Sequence, residues 1–129
     1  MSNLEKNIIM ALDKGRKNWI EFISNLNEEE VARFYCNLYN RRFGCNYTDE
    51  YILRGRSTET VREELLNMNY SADAPRRLAR AIVDYKNENS NYSFSYITGL
   101  GYPDDVIDNA PTLKWLETPE GFSWACYHL

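Results

Sequence analysis

The 129-residue chain has almost no histidine: its single imidazole is His128, next to last in the sequence. Histidine titrates closest to neutrality and is the usual proton shuttle. A Ser-His or Cys-His nucleophile pair would therefore rest on a position prone to fraying. Cysteine is also sparse. Cys36, Cys45 and Cys126 are odd in number and form no Cys-x-x-Cys pair, which predicts free thiols in a reducing compartment. A zinc set of Cys36, Cys45, Cys126 and His128 matches no ribbon or finger spacing, so no metal and no cofactor is expected. The only glycine pair of note, Gly99 and Gly101, is too short to cradle a phosphate. Adjacent carboxylates such as Glu63 and Glu64 diverge on a helix, and Asp104 and Asp105 follow Pro103 in a capping arrangement at an expected helix start. The residues predict a protein that is not an enzyme.

Long apolar runs are missing as well. No stretch of about 18 apolar residues exists to span a bilayer, and no basic-plus-apolar leader opens the sequence. The expectation is a cytoplasmic protein with no membrane partner. Lysine is scarce, five against ten arginines, within a net charge of −4. The charge is uneven: residues 1–86 sum to +1 and residues 87–129 to −5. Such a balance disfavours general phosphate binding, which needs a sustained positive field.

What remains is an ordinary folded composition with an excess of rings. Apolar residues make up 43%, charged residues 26% and aromatics 14%, including ten tyrosines. This length and composition predict one globular domain over 1–129, helical over about 1–88 and β-rich over about 92–129. Helix starts are written locally. Ser2 to Glu5 forms a capping box, and Asn27 precedes Glu28, Glu29 and Glu30. Thr48 and Ser57 each cap a further helix, and Pro75 suits a first turn. Leu4, Ile8, Ala11 and Leu12 recur at helical spacing, and Trp19, Phe22, Ile23 and Leu26 continue the stripe past Gly15. The first segment is one long helix, or two that meet at Gly15. Core positions fall at Ile8, Leu12, Trp19, Phe22, Val31, Phe34, Leu38, Val61, Leu65, Leu78, Ile82, Trp115 and Trp124.

Beyond the polar stretch 86–91 the pattern becomes alternating. Tyr92, Phe94 and Tyr96 predict a strand. Thr118-Pro119-Glu120-Gly121 has turn chemistry that would pair Trp115 with Trp124 and Leu113 with Cys126 across a hairpin. A helix beginning at Pro119 is the competing reading. The fold expectation is α+β, four to five helices packed on a small antiparallel sheet, with all-α as the alternative.

Two recognition surfaces stand out. The first is the C-terminal aromatic and acidic set Tyr92, Phe94, Tyr96, Tyr102, Asp104 and Asp105, which suits a protein partner. The second is the arginine set Arg41, Arg42, Arg54, Arg56, Arg76, Arg77 and Arg80, with Tyr39, Tyr47 and Tyr51 near its first members. Guanidinium and tyrosine together suit a nucleotide or single-stranded nucleic acid. The leading functional expectation is a small non-enzymatic inhibitor or adaptor acting by protein–protein interaction, of the kind phages and mobile elements encode. Nucleotide or nucleic-acid binding is the alternative.

Overall fold

Local start signals place the helices. In the computed structural model, residues 3–87 and 113–128 are described, and they form seven helices. These are α1 (Asn3–Asn25), α2 (Glu28–Phe43), α3 (Asp49–Leu53), α4 (Thr58–Leu66), α5 (Ala74–Asn87), α6 (Leu113–Leu116) and α7 (Pro119–His128). Asn27 caps α2 reciprocally with Glu30: its Oδ1 accepts from the Glu30 amide at 2.8 Å, and its own amide donates to Glu30 Oε1 at 3.0 Å. Thr48 and Ser57 accept from the amides of Tyr51 and Thr60, as N-caps do. Each start falls where the sequence put it.

The fold class departs from expectation. No strand occurs among the described residues, so the α+β reading gives way to an all-α architecture. The hairpin over 113–126 is two helices, and its supposed tip is a helix N-terminus. Thr118 Oγ1 accepts from the Gly121 amide at 3.0 Å and donates to the Trp115 carbonyl, while the Phe122 amide donates to Thr118 O at 2.9 Å. Pro119 then occupies the first helical position, where its missing N–H leaves nothing unsatisfied. Threonine followed by proline serves a turn and a helix start equally well, and packing chose the latter. Trp115 and Trp124 do meet, with ring centroids 5.2 Å apart, but from successive helices rather than across strands. The strand expected over 92–97 and the turn at Pro103 lie outside the described residues, as does Ser2 of the first capping box.

The chain divides into two compact units, residues 1–18 with 69–129, and residues 19–68. Helix α1 runs through both without interruption at Gly15. In the first unit, Ile8, Ala11 and Leu12 of α1, Leu78 and Ile82 of α5, and Leu116, Trp124 and Ala125 of α6–α7 form one buried cluster. Its helices approach backbone to backbone. A methyl group on Gly15 would lie 2.2 Å from the Leu116 carbonyl oxygen, and one on Gly121 would lie 1.9 Å from that of Trp115. The Asn18 amide nitrogen donates to Glu117 O at 2.6 Å, and Lys14 reaches the Glu117 carboxylate at 3.5 Å.

In the second unit, Trp19, Ile23, Val31, Cys36, Val61 and Leu65 are fully buried. Phe22 and Phe34, both expected in the core, are only partly buried and pack edge to face beside Trp19. The buried Trp19 indole donates to Leu65 O at 2.7 Å, so its polar handle is satisfied. Arg62 donates to the carbonyls of Ile23 and Leu26, closing the C-terminal end of α1.

Candidate functional site

The second unit carries an exposed row of aromatic rings where α2 ends and α3 begins. Helix α2 stops at Gly44, whose left-handed backbone (φ 63°) lets its N–H and that of Cys45 return to the Asn40 carbonyl. The Asn40 side chain then holds the loop from both sides. Its Nδ2 donates to Tyr47 O at 3.0 Å, and its Oδ1 accepts from the Tyr47 amide at 3.0 Å. One primary amide thus replaces a pair of backbone hydrogen bonds and fixes Tyr47 in place.

Four rings follow one another along this edge. Phe43 lies 4.7 Å from Tyr39, an i, i+4 neighbour on α2. Tyr39 lies 6.5 Å from Tyr47, and Tyr47 lies 4.5 Å from Tyr51 on α3. Phe43, Tyr47 and Tyr51 are 57%, 46% and 44% exposed. Such pairs contribute about 0.5–1.5 kcal/mol each beyond area burial. The row is ordered by its own contacts while still facing water.

Arginines cover both ends. The Arg42 guanidinium sits 5.1 Å from the Phe43 ring, and that of Arg54 sits 3.9 Å from the Tyr51 ring. Arg54 also donates from Nε to Tyr51 O at 3.0 Å. Its backbone is left-handed (φ 35°), and among the described residues no other non-glycine has positive φ. The left-handed region costs a side-chain-bearing residue about 1–2 kcal/mol relative to right-handed backbone. Glycine occupies it freely, as Gly55 does next door (φ 75°).

Arg56, two positions further on, has a different fate. It pairs with the Glu64 carboxylate and donates from Nη1 to the Tyr35 hydroxyl at 2.7 Å, and that hydroxyl donates to Glu64 Oε1 at 3.1 Å. Tyr35 is buried, so this triad ties α2 to α4. Arg41 and Arg42 lie in the last turn of α2, favourably placed toward the negative end of its dipole. Arg76, Arg77 and Arg80 lie on α5 in the first unit, where Arg76 approaches Glu5 at 3.9 Å. The seven arginines of the anticipated set are divided between the two units, and Arg56 and Arg76 each meet a carboxylate. The other anticipated surface, Tyr92, Phe94, Tyr96, Tyr102, Asp104 and Asp105, lies outside the described residues.

Two of the three thiols do not read as nucleophiles. Cys36 is buried; burial first, then the Asp49 charge, push its pKa up to about 11. Burial raises that of Cys126 to about 12 against the opposing pull of Arg16. Both stay protonated at neutral pH, and the thiolate is the reactive form. Among the described residues no group of three or more His, Cys, Asp or Glu side chains is placed to hold a metal ion. No helix among them is long and apolar enough to cross a membrane.

Phe43 and Asn40 escaped the sequence reading. Phe43 falls off the stripe formed by Val31, Phe34, Tyr35 and Leu38, and an aromatic outside the inward face was the available signal. Nothing local distinguishes Asn40 as a clamp. No known protein family matches the chain, and neither does any curated protein or solved structure.

Proposed function

We propose that this protein is a small binding module that engages another protein through the ring row Tyr39, Phe43, Tyr47 and Tyr51. The observation that carries this reading is a row of exposed aromatics already ordered in the free chain. Tyrosine and arginine dominate the energetics of protein interfaces, because large flat rings bury much area while losing little rotamer freedom. The Asn40 clamp and the ring-to-ring contacts remove ordering cost that association would otherwise meet.

Charge favours a protein over a nucleic acid. Residues 19–68 carry six arginines, no lysine and nine acidic residues. A phosphate chain would meet a net negative field there, and its affinity depends on the opposite.

The test is capture by the full chain from nuclease-treated lysate of its source cells, comparing wild type with the Tyr47→Ala/Tyr51→Ala double variant. Loss of the wild-type partner from the variant, with circular dichroism unchanged, supports the reading. A partner retained equally by both, or recovery that vanishes with nuclease, overturns it.

A further inference from the structure

Arg54 is the C-cap of α3, where its left-handed backbone lets its N–H return to the Glu50 carbonyl at 3.0 Å, so its backbone is accounted for while its side chain is not. It holds a left-handed backbone that its neighbour Gly55 adopts freely, and it is exposed. Among the described residues, the one hydrogen bond its side chain makes uses Nε; neither Nη nitrogen has a partner there, and no carboxylate pairs with it. Its guanidinium carbon lies over the Tyr51 ring, 3.9 Å from the centroid. The contrast with Arg56, whose Nη nitrogens both have partners, is sharp.

We propose that Arg54 is the specificity-determining contact of the ring row, and that it recognises a single Asp or Glu carboxylate set among apolar residues of a partner's peptide segment. This inference rests on the reading of the ring row as a protein-binding face. The chemistry follows from geometry. A guanidinium held over a ring and hydrogen-bonded through Nε leaves its two Nη groups to meet a carboxylate bidentately. Flanking apolar side chains then lie on Tyr51, Tyr47 and Tyr39. The negative balance of residues 19–68 repels a polyanion at long range, whereas one carboxylate held at contact distance gains more than it loses. The ligand is therefore an apolar segment with one acid, and not a run of acids or a phosphate chain.

Fluorescence anisotropy with the full chain tests this. The probes are a fluorescein-labelled peptide of sequence Leu-Phe-Glu-Leu-Phe, its Gln analogue, and an oligothymidylate. Wild type is expected to bind the Glu peptide at least tenfold tighter than the Gln peptide. Arg54→Gly is expected to erase that ratio while melting no lower than wild type, since glycine fits the backbone. Arg54→Lys, which keeps the charge but lacks the fork, is expected to lose most of it. Equal binding of the Glu and Gln peptides by wild type, binding of neither, a ratio that survives Arg54→Gly, or preference for the oligothymidylate overturns the proposal. The Tyr47→Ala/Tyr51→Ala variant separates the two ideas. If it loses both peptides while the Glu preference is absent from wild type, the ring row stands and the role of Arg54 falls. If it binds both peptides as wild type does, the ring row itself is wrong.

Discussion

Among the described residues, the two units place their most distinctive aromatic rings differently. In the first, Phe122 and Trp124 are fully buried, and two glycines bring helix backbones within reach of facing carbonyls. In the second, Trp19 anchors the interior while Phe43, Tyr47 and Tyr51 face water along an edge. Burying a ring contributes a large transfer free energy, so leaving three of them exposed forgoes stabilisation that their neighbours gain. The difference marks the first unit as a packing solution and the second as a presenting one. Arg54 and Arg56 repeat the contrast within two residues: one engaged internally by Glu64 and Tyr35, the other laid open on a ring.

The largest expected effect is at the glycines of the packing unit. Helix propensity alone makes Gly→Ala stabilising by about 1 kcal/mol in a helix interior. At Gly121 and Gly15 the sign reverses, because the new methyl would overlap a backbone carbonyl that cannot swing aside. Gly121→Ala should destabilise by about 3 kcal/mol or more, and Gly15→Ala by a similar amount, in urea unfolding followed by circular dichroism. A neutral or stabilising result at either position would mean that the two backbones do not approach as described.

A pH dependence comes next. The folded pKa values of Cys36 and Cys126 are raised, chiefly by burial, above the ordinary thiol value of 9.0 to about 11 and about 12. Below pH 9 both states keep these protons and the thiols add no slope. As pH rises from 9 toward 12 the unfolded chain ionises first, so stability falls. The urea midpoint should decline over that window, and Cys36→Ala should flatten the part below about pH 11. A midpoint that is level across the window would argue against burial of both thiols.

Tyr35→Phe tests the latch at smaller magnitude. It removes the hydroxyl that accepts from Arg56 and donates to Glu64, and should cost about 1–2 kcal/mol in the same unfolding assay. Tyr47→Ala should cost least, about 1 kcal/mol or below, since its ring is partly exposed and its backbone is held by Asn40 rather than by the side chain. If Tyr47→Ala destabilises more than Tyr35→Phe, the ring row is a core element and the contrast between presenting and packing collapses.

Much of the helix plan was legible residue by residue. Asn27, Thr48, Ser57 and Pro75 announce their helices because capping is satisfied by atoms within three or four positions. The stripe through Ile8, Leu12, Trp19 and Ile23 names core members because a helix repeats its face at fixed spacing. Ten of the thirteen anticipated core residues are buried, and the exceptions, Phe22, Phe34 and Trp115, are partly covered. The segment 113–128 misled because Thr-Pro-Glu-Gly satisfies two local geometries at once. The candidate site was half legible. Tyr39, Tyr47, Tyr51 and Arg54 could be grouped by nearness in sequence, but Asn40 and Phe43 could not.

The sequence by itself determined where α2, α3, α4 and α5 begin and which faces of α1, α2, α4 and α5 turn inward, since those depend on hydrogen bonds and periodicities a few residues long. Only the tertiary structure decided that Gly15 and Gly121 are close-approach points rather than weak spots. It also decided that Thr118 opens a helix, and that Arg56 is internally engaged while Arg54 stands open. Each of those outcomes turns on a partner distant in the chain or on a choice between two local geometries: the carbonyl of Leu116 for Gly15, Glu64 for Arg56, the packing of α6 and α7 for Thr118. Short-range rules carry no information about which distant atom will arrive.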